Sequence, residues 1–258
     1  MLSFEEIKKH YSGQEALNPR MMLKEYLQYK ILEIVFASKF GHRLVFMGGT
    51  CLRIAFGNDR FSEDLDIDNC GLSQIEFGEL MLIIKKELEH EGLMVEVRNT
   101  FQNVFHCYLK FPALLFESRL TALKEEKILI RIDSFCSREK LAIENKIISK
   151  ADVFSEIRVY PPSIILAQKI GAAFGRERAK GRDLYDIVYL FSFTRPDWGY
   201  LKKFLQIDGP EILRTRLFGL FSEKELKALA LDVQPFLINP RKLVQVEKFN
   251  LWAKGLKF

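Results

Sequence analysis

Cysteine is scarce in this 258-residue chain: Cys51, Cys70, Cys107 and Cys136 are the only four. They are widely spaced with no Cys-X-X-Cys pair, which argues against both a zinc site and a disulfide framework and suits a reducing cytosol. Long apolar runs are missing too. The longest falls well short of the roughly 20 residues a membrane-spanning helix requires, so no membrane association is expected. Residues 1–17 carry Glu5, Glu6, Lys8, Lys9 and Glu15 around no apolar core, and do not read as a signal peptide. No internal repeat or low-complexity linker is evident. These absences predict a soluble, cytoplasmic protein.

Charge of one sign is not dominant either. Lys and Arg number 39 against 34 Asp and Glu, a net +5, which mildly favours an anionic partner such as nucleic acid without demanding one. A hydrophobic content of 48% in this length is enough for one large core or two modest ones.

What is present is concentrated between residues 44 and 67. Leu44-Val45-Phe46-Met47 reads as a strand, Gly48-Gly49-Thr50 as a turn, and Cys51 to Phe56 as a short helix. A polar loop follows, and then Asp64-Leu65-Asp66-Ile67 begins a second strand. Exposed backbone N–H groups at a helix start attract phosphate. Alternate strand positions point the same way, so Asp64 and Asp66 share a face on which a divalent cation can bridge them. Singly, each half is ordinary: Gly-Gly is commonly a turn, and Asp-X-Asp is commonly surface. Together they are the minimum equipment for phosphoryl or nucleotidyl transfer.

The stretch 127–135 alternates and is rich in β-branched residues, so it reads as a further strand. If it pairs with the Asp64–Asp66 strand, Asp133 becomes the third acid of the group; the alternative is an ordinary strand-end aspartate. Three carboxylates repel one another in a partly buried site, and such a cluster needs cations to offset its charge.

These residues resemble the polymerase-β-type nucleotidyltransferase superfamily. More narrowly, Gly48-Gly49-Thr50-Cys51-Leu52-Arg53 with Arg60-Phe61-Ser62-Glu63-Asp64-Leu65-Asp66 is similar to the AbiEii/AbiGii toxin family, which includes MenT-like toxins. A second block, Ile165 to Ile170 and then Arg178-Ala179-Lys180-Gly181-Arg182-Asp183-Leu184-Tyr185-Asp186, resembles that family's Lys-Ile and Arg-X-Lys-X-Arg-Asp-X-Tyr-Asp motifs. The resemblance covers roughly residues 20–195. The superfamily's turn often has Ser where this chain has Thr50, and the hydroxyl is retained for donation to a phosphate oxygen.

The second block has chemistry of its own. Pro161-Pro162-Ser163 begins a helix, and its apolar run is interrupted by Lys169. A lysine so placed either snorkels to water or meets an anion, and the second outcome makes Lys169 a contact for a triphosphate. Asp183 and Asp186 lie three apart, on one face of a helix over 182–193. Asp183 serves either as an N-terminal acid complementing the helix dipole or, by resemblance, as the group that orients the lysine or the attacking hydroxyl. Arg176, Arg178, Lys180 and Arg182 precede it as a basic loop, suited to an RNA backbone or to plain solvation.

The resemblance implies an α+β fold with a nucleotidyltransferase-type mixed sheet flanked by helices; the change to helices after Pro161 puts this core at residues 1–155 and a mainly helical region completing the active-site cleft at 156–258. Helices are expected at 21–40, 73–91, 162–175, 182–193, 198–206, 210–220, 222–230 and 241–254, and strands at 93–98, 104–110 and 128–135. Two Mg²⁺ ions on Asp64, Asp66 and Asp133 are expected to bridge the triphosphate of an NTP. Gly48, Gly49 and Thr50 are expected to grip the β- and γ-phosphates, with Ser62 and Asp186 also at the nucleotide; Arg53 and Arg60 either assist or brace the loop. The implied reaction moves a nucleoside monophosphate to an acceptor hydroxyl. The implied acceptor is the 3′ end of tRNA, and the implied partner a cognate antitoxin. The same chemistry on a small molecule or a protein hydroxyl, or a nucleotide- or RNA-binding module without catalysis, are the alternatives.

Overall fold

The Ser73-X-X-Glu76 spacing closes as a capping box. Ser73 Oγ accepts from the Glu76 amide at 3.2 Å, and Glu76 Oε2 accepts from the Ser73 amide at 2.8 Å. In the computed structural model, which describes all residues except 103 and 138, this cap opens a helix from Gln74 to His90. The chain orders its elements as α1 (Phe4–Lys8), α2 (Pro19–Ala37), β1 (Val45–Met47), α3 (Gly48–Phe56), β2 (Leu65–Asp68), α4 (Gln74–His90), β3 (Glu96–Phe101), β4 (Phe105–Phe111), α5 (Leu114–Glu117), β5 (Ile128–Phe135), β6 (Glu144–Lys150) and β7 (Val153–Val159). Then come α6 (Pro162–Gly175), α7 (Gly181–Phe191), α8 (Trp198–Leu205), α9 (Pro210–Leu217), α10 (Glu223–Val233), α11 (Val244–Glu247) and α12 (Phe249–Lys254). Among the described residues no helix is long and apolar enough to cross a membrane.

The chain forms two units. The first comprises Met1–Ala55 and Phe61–Tyr160, the second Phe56–Arg60 and Pro161–Phe258. A boundary at residue 155 would cut β7; the units change over after Tyr160, and Phe56–Arg60, at the start of the polar loop, are grouped with the helices.

The first unit is built on a mixed sheet of order β3-β4-β5-β2-β1-β7-β6. Its centre is where the chemistry sits: β1 pairs antiparallel with β2, and β2 pairs parallel with β5. The apolar face of α2, including Leu23, Leu27, Ile31 and Val35, is buried in this unit, with α2 packed on β7 and α4 beside it. The α2 helix stops earlier than the expected 40 because the Ser38 hydroxyl donates to the Val35 carbonyl, diverting the backbone. Of the expected strands β5 matches, while β3 and β4 begin three and one residues later than their patterns suggest.

The β6–β7 hairpin was not expected. Its turn uses Ala151 at φ 57° rather than Gly or Asn, and along β6 only Ile148 is buried, so neither the turn nor the alternation announces itself. It nevertheless borders the central strands, since Phe46 of β1 stands in register with Val159.

In the second unit, α6 matches its expected span. At α7 the residue Gly181 lies so near α10 that an added Cβ would stand 1.8 Å from the Leu229 carbonyl oxygen. The single helix expected over 241–254 is broken, because Lys248 leaves helical geometry at φ −104°, ψ 20° between α11 and α12.

Candidate active site

Parallel pairing of β2 with β5 sets Asp66 directly in register with Asp133, one step beyond the Leu65–Ile132 pair. The three acids thus come from adjacent strand positions, as the alternation of both segments requires. Asp64 stands one residue before Leu65, alongside Arg131. The arrangement is a checkerboard of three carboxylates and one guanidinium.

Arg131 is the residue that inspection of the acids alone missed. Its Nη2 lies 2.9 Å from Asp64 Oδ2 and 3.0 Å from Asp133 Oδ2, so one nitrogen bridges two carboxylates. Burial works against its charge, but Asp64, then Asp133, then Asp66 outweigh that and raise its pKa above the ordinary arginine value. On the other side, His106 Nδ1 meets Asp133 Oδ1 at 2.7 Å. The signal was available: Arg131 precedes Asp133 by two, and therefore shares its face.

A fourth acid follows on β2. Asp68 is fully buried and accepts from the Tyr160 hydroxyl at 2.5 Å and from the Cys70 and Ser137 amides at 3.1 Å each. Its oxygens hold the strand ends together.

The family resemblance implies divalent metal here. Among the described residues no three Asp, Glu, His or Cys side chains already stand in metal-binding arrangement. The donor chemistry nonetheless fits: Asp64, Asp66 and Asp133 are hard oxygen ligands on neighbouring strands, suited to Mg²⁺, and Asp64 and Asp133 already share one cation, Arg131.

The glycine segment is helical from its first residue, not a turn followed by a helix: α3 starts at Gly48, with φ +78° at that residue. A Cβ there would lie 2.1 Å from Asp66 Oδ2. Gly48 is therefore required twice, for the left-handed backbone and for the approach of the Asp66 carboxylate. Gly48→Ala is expected to lower thermal stability and to cut transfer at least tenfold, checked by melting and by turnover; a variant with wild-type values in both would contradict the close approach.

Thr50 departs from its expected role. It is fully buried, and its hydroxyl donates to the Asp64 carbonyl oxygen, so its one proton fastens the helix to the start of β2 instead of being free for phosphate. Gly49 is buried in the same turn. Ser62 is buried too, with its carbonyl accepting from Gln28 Nε2 at 3.0 Å. Arg53 is placed to brace: it meets the half-buried Glu15 and the buried Glu25 at 2.6 Å each.

In the second unit the motif residues form a charged network. Arg60 and Asp186 are both essentially inaccessible and paired twice, Nε to Oδ1 at 2.7 Å and Nη2 to Oδ2 at 2.6 Å. Asn58 Nδ2 adds a donor to Asp186 at 2.8 Å. These contacts fit the bracing alternative for Arg60, and neither Arg60 nor Asp186 presents a polar atom outward. Burial alone would raise the Asp186 pKa; Arg60 and Lys169 reverse it and hold the carboxyl below its usual range.

Lys169 meets an anion, but an internal one. Its Nζ sits 2.9 Å from Asp183 Oδ1 and 2.9 Å from Asp186 Oδ2. Burial opposes its charge, yet the two acids prevail and its pKa is raised. Asp183 also takes Arg176 Nη1 at 2.6 Å, and that guanidinium is largely exposed. The Asp183–Asp186 spacing therefore does orient the lysine, through both acids.

With this geometry in view, comparison with known proteins is decisive. Residues 30–239 match the family model of the nucleotidyl transferase AbiEii toxin, type IV TA system. The chain belongs to the AbiEii family. No curated protein matches it. Two solved structures share its fold: MenT4, a nucleotidyltransferase toxin from Mycobacterium tuberculosis H37Rv, at 19% identity and a TM-score of 0.58, covering 100% of this chain and 91% of that one; and JHP933 from Helicobacter pylori, at 17% identity and 0.55, covering 92% of each. This AbiEii chain is thus a nucleotidyltransferase of a toxin family, with the mixed sheet and flanking helices that the motifs implied.

Proposed function

We propose that the protein transfers a nucleoside monophosphate from an NTP to an acceptor hydroxyl in a Mg²⁺-dependent reaction, and that the acceptor is RNA, the tRNA 3′ end being the first candidate. The observation that carries the reading is the register of Asp66 with Asp133, beside Asp64 and against the backbone at Gly48. Asp64, Asp66 and Asp133 are the residues that would hold divalent metal, which when bound neutralises the triphosphate and activates the attacking oxygen. The chain's own contribution is to fix these carboxylates on paired strands and to offer the amides at the start of α3 to phosphate. Lys169, kept protonated by Asp183 and Asp186, supplies fixed positive charge for the departing pyrophosphate.

An RNA acceptor is supported by the charge distribution. The second unit carries 18 Lys and Arg against 11 Asp and Glu, net +7, whereas the first carries 21 against 23, net −2. The basic excess of the whole chain thus belongs to the helical unit, the half suited to a phosphate backbone. A cognate antitoxin is the partner expected for a toxin of this family.

Incubating the protein with α-labelled NTPs, Mg²⁺ and total tRNA, total protein or small hydroxylated acceptors tests the reading. Label on tRNA supports it; label on protein or a small molecule moves the acceptor; bound, unconverted nucleotide leaves only a binding module. Lys169→Ala is expected to lower kcat by about two orders of magnitude, the scale of one lost charge-stabilising contact. Unchanged kcat in a folded variant would leave the lysine a purely structural role.

A further inference from the structure

We propose that Arg131 is a built-in counter-ion that competes with divalent metal for the carboxylates of the active site. The inference rests on the reading above, that Asp64, Asp66 and Asp133 are metal ligands, and adds how access to them is controlled.

The bridging nitrogen of Arg131 touches two of the three acids from a single position, 2.9 Å from Asp64 and 3.0 Å from Asp133. A cation shared by these two carboxylates needs the same oxygens. Both ions cannot occupy them, and within a few ångströms a guanidinium repels a dication strongly at the reduced dielectric of a protein surface. Arg131 is suited to yielding. Its side chain is about one-third exposed, with relative exposure 36%, unlike the sealed Arg60 at 1%. Its Nε is buried without a hydrogen-bond partner among the described residues, so the guanidinium is held at one end only. The arrangement also answers the repulsion problem: without metal the guanidinium of Arg131, shared by Asp64 and Asp133, offsets part of the charge of the acids.

The consequence is a threshold. Metal, alone or carried in on the triphosphate, displaces the guanidinium, so the free enzyme binds divalent ion weakly. Removing the arginine charge is expected to tighten metal binding even though it removes a contact to the ligands. A residue that merely orients the acids would give the opposite sign, because its loss would disorder them.

The test is Mn²⁺ binding to the nucleotide-free full chain, by calorimetry and by EPR counting of free ion, for wild type, Arg131→Leu, Arg131→Gln and Asp66→Asn. Circular dichroism and melting report the fold, and Arg131→Gln serves if the leucine variant does not fold. The proposal expects Mn²⁺ to bind at least about tenfold more tightly to the arginine variants than to wild type, from the lost repulsion. Equal or weaker binding by a folded variant, with wild-type binding intact and abolished by Asp66→Asn, overturns the counter-ion role alone. If Asp66→Asn binds Mn²⁺ as wild type does, the metal-site reading falls and this proposal with it.

Discussion

Asp66→Ala is expected to abolish nucleotidyl transfer while the protein stays folded. Asp66 lies at the middle of the acid group, in register with Asp133 and against the backbone at Gly48. Its removal takes away one metal ligand, and metal assistance is worth several kcal/mol of transition-state stabilisation, so activity should fall about a thousandfold or more. Stability should change little or rise slightly, because one carboxylate fewer lowers the repulsion within the cluster. Turnover of labelled NTP and a urea melt on the same preparation measure the two effects. Loss of activity together with loss of fold would make Asp66 a structural residue.

The largest stability effect is expected at Arg60, which reaches no substrate in the proposed reaction. Arg60→Leu strands the Asp186 carboxylate, which is wholly inaccessible and is left with Lys169 and Asn58 among the described residues. Breaking a buried pair from one side costs about 3–5 kcal/mol, because a charge is left without its counter-charge. Against a typical total of about 5–15 kcal/mol this approaches unfolding. The double variant Arg60→Leu with Asp186→Asn should recover much of the loss, since neither charge then remains uncompensated and Lys169 retains Asp183. Urea unfolding of the three proteins decides it; a single variant as stable as wild type would show that water reaches Asp186 freely.

These two residues also mark what a sequence discloses. Asp64, Asp66 and Asp133 were legible because strand alternation is short-range and both segments alternate cleanly, so the only unknown was whether the strands pair. They do, in parallel. The α4 and α6 spans were legible for the same reason, since each signal lies within a few residues.

The partners of Arg60 and Thr50 could not be read from the sequence because they are remote or unremarkable. Asp186 lies 126 positions from Arg60, and Thr50 spends its proton on a main-chain carbonyl that no motif marks. Both belong to the motif strings that carry the family resemblance, and in this structure both secure the frame around the chemistry. Arg131 escaped notice because the acids were considered without the cations that let them coexist. The β6–β7 hairpin escaped because a charged edge strand, turned by Ala151 at positive φ, offers neither glycine nor an apolar stripe.

The most direct test of the account is transfer of label from α-labelled NTP to a hydroxyl acceptor, run with and without Mg²⁺, for wild type and Asp66→Ala side by side. The account predicts labelled acceptor and released pyrophosphate only for wild type and only with the metal. Equal labelling by both proteins, or labelling that persists after chelation, would contradict it.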